Sequence, residues 1–300
     1  MFHSNKHSIL ALTFQIFIVH FLIERNVMAL VCIAREEGID ADRIGANLAQ
    51  KIGFEFFDKT KLEQIMLELG LKPEALKKYD EIKPGFWASL SQERDDYLHY
   101  LEYALYKTAS LKDAVILGRG ANVIFANCPG TITLKLVAPL TWRLQMIKNK
   151  FQGDEKKALQ YIKQTDENRK GFTRYFFNID WSDPASYSLT LNVAQVTEQS
   201  CFEIIKPLVK NITNQETAHN FTSYITSKYK AVQIVDTVIY KHGIPINFFE
   251  AEVEGDKAIL HGVSSVEPTI EQAVELAKTI PGITTVENSI QLIQDYTIMP

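Results

Sequence analysis

Three groups of residues in this chain have the types and spacings that handle phosphate. The first is Ala34-Arg35-Glu36-Glu37-Gly38-Ile39-Asp40-Ala41-Asp42, between an apolar run at 29–33 and a helical pattern at 43–52. A strand, a glycine-bearing turn and a helix N-terminus form the usual cradle for nucleotide phosphates, because backbone N–H groups and the positive end of the helix dipole converge on the anion. Arg35, Gly38 and Arg43 are its candidate phosphate-binding residues. The same turn carries Glu36, Glu37, Asp40 and Asp42, which oppose an anion. At an effective dielectric of about 20, one carboxylate about 4 Å from a phosphate charge costs roughly 4 kcal/mol before relaxation, nearly three decades of affinity.

The second group is Gly118-Arg119-Gly120-Ala121-Asn122, directly after a second apolar run. A loop at the C-terminal end of a parallel strand lies where α/β folds bind ligands. An arginine there grips a phosphate bidentately, which lysine does not; the alternative is a tight turn with an exposed arginine. The third group is Asp166, Arg169 and Arg174 in the stretch 166–187, spaced to share a face at a helix end. Two arginines and a carboxylate suit a lid that closes over a transferring phosphoryl group. The alternative is a solvated helix end followed by an aromatic-rich structural loop.

The elements that must position these groups alternate between strand and helix over 29–205, the pattern of a parallel α/β sheet. Strands are expected at 29–33, 54–58, 114–118, 131–137 and 188–193, and helices at 43–52, 59–70, 73–80, 91–110, 140–149 and 155–170. Lys83-Pro84-Gly85 reads as a break, and 171–187 as a polar aromatic loop. Residues 207–222 are polar and read as a linker. Beyond it, a helix at 223–242, strands at 247–254 and 257–263 around Gly255-Asp256, a helix at 269–280 and a strand at 283–293 make a compact unit; the Gly-Asp pair is a hairpin signal.

Composition narrows the partners. Of 300 residues, 46% are hydrophobic and 23% charged, ample for a buried core. The net charge of −4 argues against nucleic-acid binding, whose footprint is a basic patch. Cys32, Cys128 and Cys201 have no metal-ligand spacing and read as reduced thiols of a cytoplasmic protein. Residues 8–23 are almost wholly apolar, short for a membrane span and interrupted by Gln15 and His20. They read as part of an apolar extension over 1–27, either incidental, a signal-peptide core or an anchor, ahead of a domain that would be complete from Met28.

The phosphate-handling groups fall in four stretches that resemble the cytidylate kinase-like proteins, a branch of the P-loop nucleoside-monophosphate kinases. These are Arg35-Glu36 with Gly38; Phe56-Phe57-Asp58-Lys59; Leu117-Gly118-Arg119-Gly120-Ala121-Asn122; and the run Asp166, Arg169, Tyr175-Phe176, Asp180-Trp181, Asp183-Pro184 and Tyr187. The resemblance, over residues 28–206, implies phosphoryl transfer from ATP with Mg²⁺ to a nucleoside monophosphate such as CMP. It makes Arg119 a contact of the acceptor nucleotide, and Arg169 and Arg174 lid arginines, beside Asp166. The phosphate loop departs from the family's pattern. Where small residues are expected stand Asp40 and Ala41, and where a basic one is expected stands Asp42. Loss of glycine restricts a phosphate nest, and an aspartate at a helix start caps the N–H groups a phosphate would use. The expectation therefore divides between a working kinase and an inactive nucleotide-binding or scaffold module, a pseudokinase.

Residues 223–300 resemble a BON domain in Val253-Glu254-Gly255-Asp256-Lys257-Ala258, Leu260-His261-Gly262-Val263, the helix from Thr269, and Ile280-Pro281-Gly282-Ile283 followed by Val286-Glu287-Asn288. Such domains are associated with phospholipid or envelope binding. Ten acidic residues against five basic ones would be repelled by an anionic lipid surface, so a protein-interaction or regulatory role is expected.

Overall fold

The structure, a computed structural model, describes residues 29–79 and 92–293. The apolar segment 8–23 and the expected break at Lys83-Pro84-Gly85 lie outside the described residues.

The first unit runs β1 (Leu30–Arg35), α1 (Ala41–Ile52), β2 (Glu55–Phe57), α2 (Lys59–Leu69), α3 (Pro73–Lys78), α4 (Gln92–Leu111), β3 (Ala114–Leu117), α5 (Ala121–Ile124), β4 (Thr131–Val137), α6 (Leu140–Ile147), α7 (Glu155–Phe177), β5 (Leu189–Asn192) and α8 (Glu198–Ile212). Its five strands are all parallel in the order β2-β3-β1-β4-β5. In β1, side-chain alternation sends Leu30 and Cys32 into one apolar cluster and Val31 and Ile33 into another. A strand covered on both faces must be apolar at every position, which is why this run shows no polar alternation.

Two expectations are corrected here. Helix α7 does not end near residue 170 but continues to Phe177, so residues 171–177 of the expected aromatic loop are helical. Phe172 and Phe176, one turn apart, pack with rings 4.8 Å apart in the core and carry the helix onward. The stretch 207–222 is not an irregular linker. Helix α8 passes through Pro207 to Ile212, and α9 (Gln215–Val235) starts three residues later, capped by Asn214, whose side chain accepts the Thr217 N–H at 2.8 Å. The stretch is polar because only a narrow stripe of α9 is covered. Phe221, Ile225 and Val232 lie along that stripe at helical spacing and join the core of the first unit.

The same helix then serves a second core. Its Ala231 and Ile234 pack with the small sheet formed by β6 (Asn247–Glu254), β7 (Lys257–Ser264) and β8 (Thr285–Leu292) and with α10 (Glu267–Lys278). Strands β6 and β7 form an antiparallel hairpin, and β7 and β8 pair in parallel. Lys230 donates to the carbonyls of Gly255 and Gly282 at 3.0 and 2.8 Å, which pins both turns of this unit to α9. A π-helical turn, Asp236–Lys241, ends the long helix. There Asp236, 1% exposed, meets His99 of α4 at 3.5 Å, while Lys241 Nζ approaches its other oxygen at 2.7 Å. Among the described residues no helix is long and apolar enough to cross a membrane.

Candidate functional site

The loop between β1 and α1 is held shut by its own charges. The Glu36 N–H bonds the Leu136 carbonyl at 3.1 Å, and its carboxylate accepts the Ala138 N–H at 3.0 Å. The Glu37 N–H is donated to Asp166 Oδ1 at 2.8 Å. At the start of α1, the Asp40 carboxylate accepts the Arg43 N–H at 3.3 Å and the Arg43 Nε–H at 3.0 Å, as a helix cap does. Four N–H groups of this turn (Glu36, Glu37, Ala41 and Arg43) are thereby bonded within the protein. Gly38 adopts φ +94°, and a Cβ there would lie 2.9 Å from the Arg143 carbonyl oxygen. The bare side of the glycine is thus filled by α6 rather than open to a ligand.

Two arginines close the loop from outside. Arg143, 8% exposed, donates Nη1 to Asp166 at 2.6 Å and to the Glu37 carbonyl at 3.1 Å, and Nε to the Ala138 carbonyl at 3.0 Å. Arg169, also buried, donates Nη2 to the Glu37 carboxylate at 2.8 Å and Nη1 to the Arg35 carbonyl at 3.3 Å, with Asp166 at 3.8 Å. Asp166 and Arg169 therefore come together at the loop. Arg174, five residues on, lies about 140° further round the helix; it is exposed in a separate cleft with Lys170, Tyr175 and Asp180.

The Gly118-Arg119-Gly120 turn has three successive positive φ values, 77°, 55° and 69°. A Cβ on Gly120 would be 2.5 Å from the Phe177 ring, so this position must be glycine as packed. The turn drives the Arg119 side chain inward, where it is 1% exposed, pairs with Glu63 of α2 and bonds the Tyr97 hydroxyl at 3.0 Å. Burial, and after it the charge of Arg35, pushes the Arg119 guanidinium down to about 9; its contact with Glu63 favours the charged form. Arg35, Arg119 and Arg169 line one small cavity of about 20 Å³, walled by Phe172 and Trp181.

On the other side of the loop lies a larger cleft of about 510 Å³, bounded by Gly38, Ile39 and Ile44, by Trp142 of α6, and by Val193 to Glu198 after β5. Arg43 crosses its rim and pairs with both Asp40 and Glu198. The Asn47 amide, at 2.7 Å, and then Arg43 hold the Glu198 carboxyl below its usual range.

Three site residues escape sequence reasoning. Arg143 belongs to no motif, and Glu63 reads only as a helix-surface charge. Lys135 is hidden inside a strand, where it is 4% exposed, donates to the Trp181 carbonyl at 2.6 Å and lies 4.0 Å from that ring's centre. A charged residue in the middle of the apolar run TITLKLV was its only signal. Among the described residues, no group of three or more His, Cys, Asp or Glu side chains stands close enough to hold a metal ion.

Residues 30–195, over half of the chain, match the cytidylate kinase-like family. The chain belongs to that family. An uncharacterized protein from Eubacterium ventriosum aligns with this cytidylate kinase-like chain at 18% identity and a TM-score of 0.50, covering 61% of this chain and 99% of that one. This likeness shows the fold. Shikimate kinase from Bacteroides thetaiotaomicron (17% identity, TM-score 0.38, 61% and 99% covered) and a gluconokinase from Sinorhizobium meliloti (15%, 0.39, 62% and 97%) align more loosely. No curated protein matches the chain. Kinase-like folds of this family use ATP and Mg²⁺ in general.

Proposed function

We propose that the first unit is a catalytically silent member of its family: a nucleotide-kinase fold kept as a binding and scaffolding module. The observation that carries this reading is the pairing of Arg169 and Arg143 with Glu37 and Asp166 across the loop. The residues present do not fit the triphosphate of ATP. Arg169 is paired with Glu37, Arg143 with Asp166 and Glu36, and Arg43 with Asp40; four turn N–H groups are bonded internally, and Asp40 caps the helix end a phosphate would use. Four acidic residues in one turn add a repulsion of several kcal/mol. The family's reaction, transfer from ATP to a CMP-like monophosphate, is therefore not assigned to this chain. The Arg35/Arg119/Arg169 cavity, at about 20 Å³, has room for about one water, so a monophosphate would reach these arginines only after the cavity opened and Arg119 left Glu63.

The helix–strand–strand–helix–strand order of the C-terminal unit supports its reading as a BON-like domain, and its acidic balance favours a protein partner over lipid. Its domain limits are proposed as residues 223–300, following a first domain of 28–206, with α9 crossing the limit at 223 and packing on both cores. Three buried free cysteines fit a reducing, cytoplasmic setting.

The test is ADP release at high protein concentration with MgATP and each common nucleoside monophosphate in turn. No turnover above the buffer rate is expected. ADP formed in proportion to protein with any acceptor would refute the proposal.

A further inference from the structure

We infer that the C-terminal unit pairs with a second copy of this chain through strand β8, edge to edge and antiparallel. This rests on the protein-partner reading of that unit, whose partner it names, and stands apart from the question of ATP turnover. The small sheet has the order β6-β7-β8, so β6 and β8 are its two edges. A sheet edge presents unpaired N–H and C=O groups, and soluble proteins blunt such edges with charges or bulges. The β6 edge is blunted in this way. Its pairing slips between Asn247 and Glu250, Phe248 sits at φ +53°, and Glu250, Glu252 and Glu254 stand exposed along it.

The β8 edge is open by comparison. Thr285–Leu292 pairs with β7 in unbroken register and contains no proline, glycine or lysine. Its one charged side chain, Glu287, is held by Lys257 of β7. The Thr285 and Ile293 N–H groups bond the Asp256 and Ser264 carbonyls at 3.3 and 2.9 Å, on the β7 side. Alternation then turns the N–H and C=O groups of Val286, Asn288, Ile290 and Leu292 to the open edge. The Ile290 N–H is met there by the Asn288 side chain at 3.0 Å, a local stand-in for a strand partner. Where the strand ends, Leu292 and Ile293 are 48% and 46% exposed.

This edge is complementary to itself. About a two-fold axis at Ser289, Val286 faces Leu292 of the second copy, Asn288 faces Ile290, Glu287 faces Gln291 and Thr285 faces Ile293. The outward backbone groups then pair in the antiparallel pattern, Leu292 and Ile293 are covered, and no like charges are opposed. Two β6 edges brought together would instead set glutamates against glutamates. An isologous contact closes at a dimer. A strand pair alone buries less than the ~1,600 Å² of a standard interface, so the dimer is weak and reversible.

The experiment is sedimentation of the full chain from micromolar to millimolar concentration, beside single variants of β8. Ser289 and Gln291 are exposed, so the monomer tolerates changes there. The parent is expected to pass reversibly from monomer to dimer. Gln291→Glu opposes a carboxylate to Glu287 twice in the dimer and should weaken association at least tenfold, whereas Gln291→Lys should strengthen it several-fold. The Ser289→Cys variant, oxidised with diamide, should form a disulfide-linked dimer, because the two positions meet at the axis; the three native cysteines are buried. Glu252→Cys, on the blunted edge, should not. A parent that stays monomeric at millimolar concentration overturns the inference and leaves the β8 edge to another protein. A dimer indifferent to Gln291→Glu, or one that does not cross-link at position 289, pairs elsewhere and overturns it as well. None of these results touches the silent-module reading, which ADP release decides.

Discussion

Arg169 Nη2 lies 2.8 Å from Glu37 Oε2, joining the phosphate loop to a helix 132 residues later in the chain. The side chains are only 10% and 17% exposed, so the pair is largely desolvated and not an ordinary surface bridge. A phosphate entering this region must compete with Glu37 for the guanidinium. The Arg169 guanidinium is thus already held by a carboxylate of the loop.

Glu37→Gln tests that relationship directly. The substitution removes one negative charge while keeping a hydrogen-bond acceptor for Arg169. Affinity for inorganic pyrophosphate, read by calorimetry, is expected to rise roughly tenfold, about 1.4 kcal/mol. Unchanged affinity would show that Glu37 is not what keeps phosphate out.

Glu63 and Arg119 make the second prediction. Breaking a buried pair from one side leaves the other charge uncompensated and costs about 3–5 kcal/mol. Glu63→Gln should therefore lower stability in urea by about 3 kcal/mol, with the Arg119 guanidinium left in a site 1% exposed. A loss below about 1 kcal/mol would mean that Glu63 is not what holds Arg119 in its buried position.

Gly38→Ala places a methyl group 2.9 Å from the Arg143 carbonyl oxygen at a φ of +94°. Such strain costs about 1–3 kcal/mol. Arg143 should also be pushed away from Asp166, its partner at 2.6 Å. Thermal unfolding should register the loss, and pyrophosphate titration should show whether the displaced arginine becomes available.

The parallel sheet was legible in the sequence because β1, β3 and β4 are predominantly apolar runs, with Lys135 the one charge inside β4, separated by helical patterns. The hairpin of the small sheet was legible from the alternating runs around Gly255-Asp256, and β6 and β7 meet at that turn, with Glu254 opposite Lys257. What could not be read was pairing at long range. Nothing local tells Arg169 that its partner is Glu37, or Arg119 that it will point toward Glu63 rather than outward. The first turns of α9, residues 215–222, were hidden for a different reason: Phe221 is the single large apolar residue there that reaches the core, too sparse a signal to extend the helix expected from 223 until its partner helix α4 is in place.

The joint between the two units gives a pH prediction. Burial alone would raise the Asp236 carboxyl, but His99 and Lys241 outweigh it and hold it below its ordinary 3.8. Tyr240 stacks on His99 at 4.2 Å, Tyr100 and Tyr103 close the other sides, and Asp95 and Asp96 of α4 face Tyr240 from the same helix. A carboxyl depressed in the folded state contributes stability above its unfolded value, and that contribution is lost as pH falls through the folded value. Melting temperatures should therefore drop as pH falls below about 4, the ordinary carboxylate range. Asp236→Asn should cost about 2 kcal/mol at neutral pH and flatten that drop. An equally steep fall in the variant would assign the acid sensitivity to other carboxylates.

The last prediction concerns whether the C-terminal unit is separable. If 207–222 were an irregular linker, trypsin would cut at exposed Lys210 and release two stable halves. In the structure this lysine lies within α8, and the following helix places Phe221, Ile225 and Val232 on the core beside α4, at 1%, 2% and 9% exposure. Burial of each such side chain contributes about 1.5–3 kcal/mol, so losing all three removes on the order of 5 kcal/mol, comparable to the whole stability of a marginal domain. Native protein should resist trypsin at Lys210, and a chain ended after Ile212 should melt well below the parent or fail to accumulate as a monomer. Rapid cleavage at Lys210 with both halves remaining folded would show that α9 holds the units together only loosely, and the coupling through His99 and Asp236 would then have to be abandoned as well.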